Sequence, residues 1–182
     1  MFDAVVILYV VINAFLGFRY GLFRRFLHIA AFYVGLLLAQ AMSPGLAGVF
    51  NYNTGPHPTA GHFFLFMVVL FGLVLVVEGL MFGLGGVLDA FNALIFDRFF
   101  GLVVGAIAGV LEMAVFLYLF TFMYATPMPS GASQPPIITS IASQVEGSPT
   151  AKALSKLRQY IVVLYGPVLP PEPGTYFAKT YS

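Results

Sequence analysis

Four long apolar runs divide the chain, and polar residues mark where each one ends. The first covers about residues 4–18 and lengthens through residues 20–23 if Arg19 reaches back toward water. The second covers about 26–42, carries no formal charge, and meets the helix-stopping triplet Ser43-Pro44-Gly45. The third covers about 62–88, and the fourth about 99–124, ahead of Thr126-Pro127. A bilayer span takes roughly 20 apolar residues, and in hydrocarbon the backbone must satisfy its own polar groups. The pattern therefore predicts an all-α polytopic membrane protein, with four transmembrane helices in residues 1–125.

Residues 126–182 form a second region of different character, rich in Pro, Ser and Gly. One helix is expected in it, over about 148–165, with Ser148 as cap, Pro149 in the first turn and Gly166-Pro167 as terminator. Leu154, Leu157, Ile161 and Leu164 fall on one face, and Lys152, Lys156 and Gln159 largely on the other. Such an amphipathic helix suits a membrane surface, a partner protein or the chain's own outer loops.

Composition agrees with a membrane class. The chain is 60% hydrophobic and 8% charged, with mean hydropathy +0.94, whereas soluble domains carry about 25% charged residues. The net charge of +1 provides no field for nucleic acid. The absence of Cys excludes disulfides, thiolate nucleophiles and Cys-based metal sites, and no cofactor motif is legible. The N-terminus lacks a basic segment before its first apolar run, so that run is expected to stay in the mature chain.

Basic residues orient the helices. Arg19, Arg24, Arg25 and Arg98 lie in the first and third connections, and the second connection has no Lys or Arg. The first and third connections are thus expected in the cytoplasm, with both termini outside. Asp97-Arg98 reads as a helix start, the acid favouring the N-terminal end of the dipole.

Small residues recur on two helices. Gly101, Gly105, Ala108 and Gly109 share one face of the fourth run, and Glu112 falls within the same stripe. Gly72, Gly79, Gly83 and Gly86 form a second stripe on the third run, with Glu78 about 120° from Gly72. Small-residue stripes let helices approach closely in lipid, within the chain, in a homo-oligomer or on another protein. A carboxyl at membrane depth needs a partner or a proton, so Glu78 and Glu112 are the candidate intramembrane polar site. Their different relation to the glycines argues against simple pairing with each other. His28, beside Arg24 and Arg25, reads as interfacial, and His57 and His62 read as solvated or capping groups.

The stretch DRFFGLVVGAIAGVL, with Asp97-Arg98 ahead of Gly101, Gly105 and Gly109, resembles the CvpA family of colicin V production proteins. The early acid Asp3, and Gly21 and Arg24 after the first run, are similar too. The resemblance spans about residues 1–123 and implies a polytopic bacterial inner-membrane protein linked to colicin V export. It departs from the family pattern at Ala108, where Arg is common, and at Glu112, where an apolar residue is usual.

Three functions follow as expectations. The first is a non-enzymatic inner-membrane protein assisting secretion or envelope processes. The second is an accessory subunit docking through its glycine stripes and tail. The third is a small proton or ion channel or transporter centred on Glu78 and Glu112.

Overall fold

The computed structural model describes residues 1–49, 58–83, 95–125, 135–170 and 173–178. Gly86, His57, Asp89 and the connections on which they lie fall outside the described residues. Three long helices make the body: α1 (Phe2–Val49), α2 (Pro58–Gly83) and α3 (Ile95–Ala125). The second region adds α4 (Pro136–Glu146), α5 (Pro149–Ser155), α6 (Arg158–Tyr165), a 3-10 turn (Gly166–Val168) and α7 (Pro173–Ala178). Stretches within the three long helices are long and apolar enough to cross a membrane: Phe2–Leu46, Thr59–Leu80 and Phe96–Ala125.

The first two expected helices are one element, interrupted only at Gly21, whose φ of 80° and ψ of 174° leave the helical region. A side chain at that φ is strained, so glycine suits the break. The arms on either side, residues 2–20 and 22–49, fold back on each other. In a straight helix Tyr9 and His28 would stand roughly 28 Å apart, yet both contact Glu112. The connection is therefore one residue rather than the eight-residue link FRYGLFRR expected from sequence. The freed amide of Leu22 donates to Asp97 Oδ2 at 3.2 Å. Asp97 thus sits in the first turn of α3 and also caps the second arm of α1.

The second arm also runs through the expected stop at Ser43-Pro44-Gly45, with Pro44 inside the helix. Proline removes the N–H that would have reached the carbonyl of Gln40. Tyr176 of α7 supplies a donor instead, its hydroxyl lying 2.8 Å from that carbonyl and 2.7 Å from Ser43 Oγ. A local helix-breaking signal is overridden by a contact from the far end of the chain.

The expected helix over 148–165 is two short helices. Its start is as expected: Ser148 accepts from the amide of Ala151 at 2.9 Å, and Pro149 occupies the first turn. The ladder then tightens at Lys156 and Leu157, whose amides bond to Ala153 and Leu154 three residues back. The two pieces are anchored separately. Ser148 and Thr150 bind Asp3, while Tyr165 packs on Phe32 and Tyr33. Leu154 and Ile161 are buried as expected, but Leu164 faces out and Tyr165 takes the inner position. The core is shared between the two regions: Ile161, Tyr165 and Phe177 join Phe32, Phe66, Val115 and Leu119.

Candidate functional site

α3 is positioned by its small residues. A Cβ at Gly101 would collide with the backbone of Gly17 and Gly21, and one at Gly105 with the carbonyl of Asn13. One at Gly109 would lie 3.2 Å from the Cα of Val10. Ala108 is buried on the same face. The stripe thus meets the first arm of α1 running antiparallel, and backbones come close because α3 carries no bulk there and Gly17 and Gly21 face Gly101. Gly72, Gly79 and Gly83 differ: an added Cβ there meets nothing within 4 Å.

That close seam delivers Glu112 to a cluster. Glu112 is 4% exposed. Its Oε2 accepts from the Tyr9 hydroxyl at 2.6 Å, and its Oε1 lies 2.8 Å from His28 Nε2. The other ring nitrogen, Nδ1, lies 2.5 Å from Glu78 Oε1. His28 therefore bridges carboxyl groups from α2 and α3. Sequence reading separated Glu78 from Glu112 and put His28 at the membrane interface. In the structure His28 is buried and joins the two acids through one ring.

A second set of contacts fixes the arms of α1. Arg25, 2% exposed, donates to Asn13 Oδ1 at 2.8 Å, and Asn13 Nδ2 donates to the carbonyl of Tyr9 at 3.1 Å. Arg24 is also buried, with its guanidinium 4.9 Å from the Tyr20 ring centre. These two arginines are structural groups inside the body. Arg19 and Arg98 are exposed. Asp3 accepts from Ser148 Oγ at 2.6 Å, from the Thr150 amide at 3.1 Å and from Thr150 Oγ1 at 2.5 Å, tying the tail to the start of α1.

His28, Tyr9 and Asn13 were missed as site residues. A signal existed in their spacing. Tyr9 and Asn13 are four apart, and Arg25 and His28 three apart, so each pair makes a polar strip on an otherwise apolar arm.

Two cavities flank the cluster. One, of about 370 Å³, is lined by Leu16, Tyr20, Arg24, Arg25, Glu78 and neighbours. The other, of about 440 Å³, has mainly apolar walls and includes Tyr9 and Glu112. Glu78 is the more open acid, its side chain 37% exposed. Tyr165 from the tail lies near Glu112, and burial, with that neighbouring charge, pushes its phenol up to about 12.

The arrangement can relay a proton. A neutral imidazole has one donor and one acceptor nitrogen. With a proton on Glu78 and another on Nε2, both hydrogen bonds are made. A shift of the first proton to Nδ1 and of the second to Glu112 makes both again, in the opposite sense. One proton has moved from the α2 side to the α3 side, and the total proton count is unchanged.

No curated protein and no solved structure matches this chain. The family model described as Colicin V production protein matches residues 2–158, and the membrane-spanning lengths of its helices fit that assignment. The chain belongs to the colicin V production protein family.

Proposed function

We propose that this chain is a four-span protein of the bacterial inner membrane that passes protons through Glu78, His28 and Glu112, without enzymatic chemistry, in support of secretion or envelope processes. The observation that carries the reading is His28, with a carboxyl group within hydrogen-bonding distance of each ring nitrogen. Ionisable groups are costly at membrane depth, and proton relays are a main reason for keeping them there. Each arm of α1 crosses once in this reading. The Gly21 turn and the start of α3 face the cytoplasm, where exposed Arg19 and Arg98 lie. Glu78 then takes protons from the cavity beside Arg24 and Arg25, and Glu112 exchanges them with the cavity beside Tyr9. Rotation of the His28 ring resets the relay.

The test is proton flux into liposomes holding the full chain, driven by a potassium diffusion potential and read with a pH-sensitive dye. His28→Gln and Glu112→Gln should each lower the flux about a hundredfold or more, the lower end of what positioned acid–base groups contribute. Parental flux in His28→Gln rules the relay out.

A second reading rests on α2. Its glycines at 72, 79 and 83 are open, and Leu75, Val76 and Leu80 beside them are exposed. This face suits a further helix, from a second copy or a larger complex. Crosslinking between cysteines placed at Gly79 in native membranes tests it, and a chain that never crosslinks there excludes a second copy on that face.

A further inference from the structure

The 440 Å³ cavity, into which Glu112 of the proposed relay opens, is also walled by aromatic rings that proton exchange does not use. Its volume lies within the roughly 300–1,000 Å³ of small-molecule sites, which pair apolar walls with a few fixed polar groups. Phe2, Tyr9, Phe32, Phe71 and Phe116 line it, with Glu112 as its acid. Ring faces carry negative electrostatic potential and attract cations. Among the described residues, no Lys, Arg or His lines the cavity, and Arg25 lines the other one. Met1, 91% exposed, brings the chain's α-amino group to the outer edge of this lining, and an anion placed further in would face a carboxyl and ring faces.

The route in follows from the packing. The first arm of α1 seats on α3 through the glycine seam, and α2 packs on α1. Val5 on the first arm and Phe71 on α2 both line the cavity and are 55% and 43% exposed. The opening thus lies between two apolar helices, on the side that faces lipid. Ile141 and Gln144 of α4 cover the cavity from the tail.

We infer that this cavity is a binding site for a lipophilic organic cation that enters from the bilayer and places its charge among the aromatic rings, facing Glu112. A carboxylate offers about four lone-pair sites, and Tyr9 and His28 engage one oxygen each. Glu112 therefore keeps unengaged lone pairs on the cavity wall, where a cation can approach them. The site shares Glu112 with the proposed relay but does not require proton transfer through His28.

Equilibrium binding of labelled tetraphenylphosphonium to the full chain in lipid nanodiscs tests the inference. The chain should bind it saturably, at one per chain. Glu112→Gln should weaken binding at least about tenfold by removing the charge partner. Val5→Trp, which fills the mouth and leaves the acid in place, should do the same. Phe99→Leu, on an exposed part of α3 outside the cavity, should bind as the parent does. Triphenylphosphine oxide, neutral and of similar shape, should compete poorly. The inference is overturned by absence of saturable binding above the lipid background, by parental affinity in Glu112→Gln or Val5→Trp, or by equal binding of the neutral probe. A null result in the proton-flux assay leaves this measurement intact, so failure of one reading is distinguishable from failure of the other.

Discussion

The Tyr176 hydroxyl lies 2.8 Å from the carbonyl of Gln40, the carbonyl that Pro44 leaves without its helical donor. The two residues are 136 positions apart. A bulk-apolar environment makes an unpaired carbonyl costly, so this contact lets the second arm of α1 continue through a proline.

Tyr176→Phe should therefore destabilise the chain by about 1–3 kcal/mol, the range for a buried polar group left unmade. Pro44→Ala restores the missing amide, and the double variant should recover much of the loss. Thermal unfolding of the parent, the two singles and the double in one detergent measures the coupling. Additive effects would show that Tyr176 does not serve the proline.

The glycines divide sharply by position. Gly105→Ala places a methyl group against the carbonyl of Asn13 and should cost about 1–3 kcal/mol, as overpacking does. Gly72→Ala meets nothing within 4 Å and should be neutral or stabilising by up to about 1 kcal/mol through helix propensity. Equal losses at the two sites, measured by thermal unfolding, would contradict the seam described between α1 and α3.

Asp97 caps a helix other than its own. Asp97→Ala should cost about 1 kcal/mol by leaving the Leu22 amide unpaired. Asn keeps an acceptor oxygen and should recover part of this. Hydrogen exchange at Leu22 reads the effect directly, and unchanged protection in Asp97→Ala would refute the cap.

Asp3 holds the tail through Ser148 and Thr150. Asp3→Ala should raise the rate of limited proteolysis around α4 and α5, while sites within the three long helices stay protected. Protease with a matched cleavage map for parent and variant decides it; identical maps would remove Asp3 from that role.

Much of the body is legible along the chain, because the signals are local. Hydropathy marks the long helices, and the period of 3.6 residues places Gly101, Gly105, Ala108, Gly109 and Glu112 on one face. Ser148 and Pro149 announce the start of a helix by chemistry confined to one turn. The tail helix beyond them is harder to read, since its break at Lys156 and Leu157 separates the Asp3 anchorage from the packing of Tyr165.

By itself the sequence determined the membrane class, the family, the small-residue stripe and the place of an acid within it. The tertiary structure decided that one residue, Gly21, turns α1 back, that Tyr176 relieves Pro44, and that His28 joins Glu78 to Glu112 across separations of 50 and 84 residues. The reason is physical. These helices are apolar nearly all round, so no amphipathic face declares which side turns inward. The choice falls to close backbone contact and to the pairing of a few costly polar groups, and both depend on how distant helices are rotated against each other.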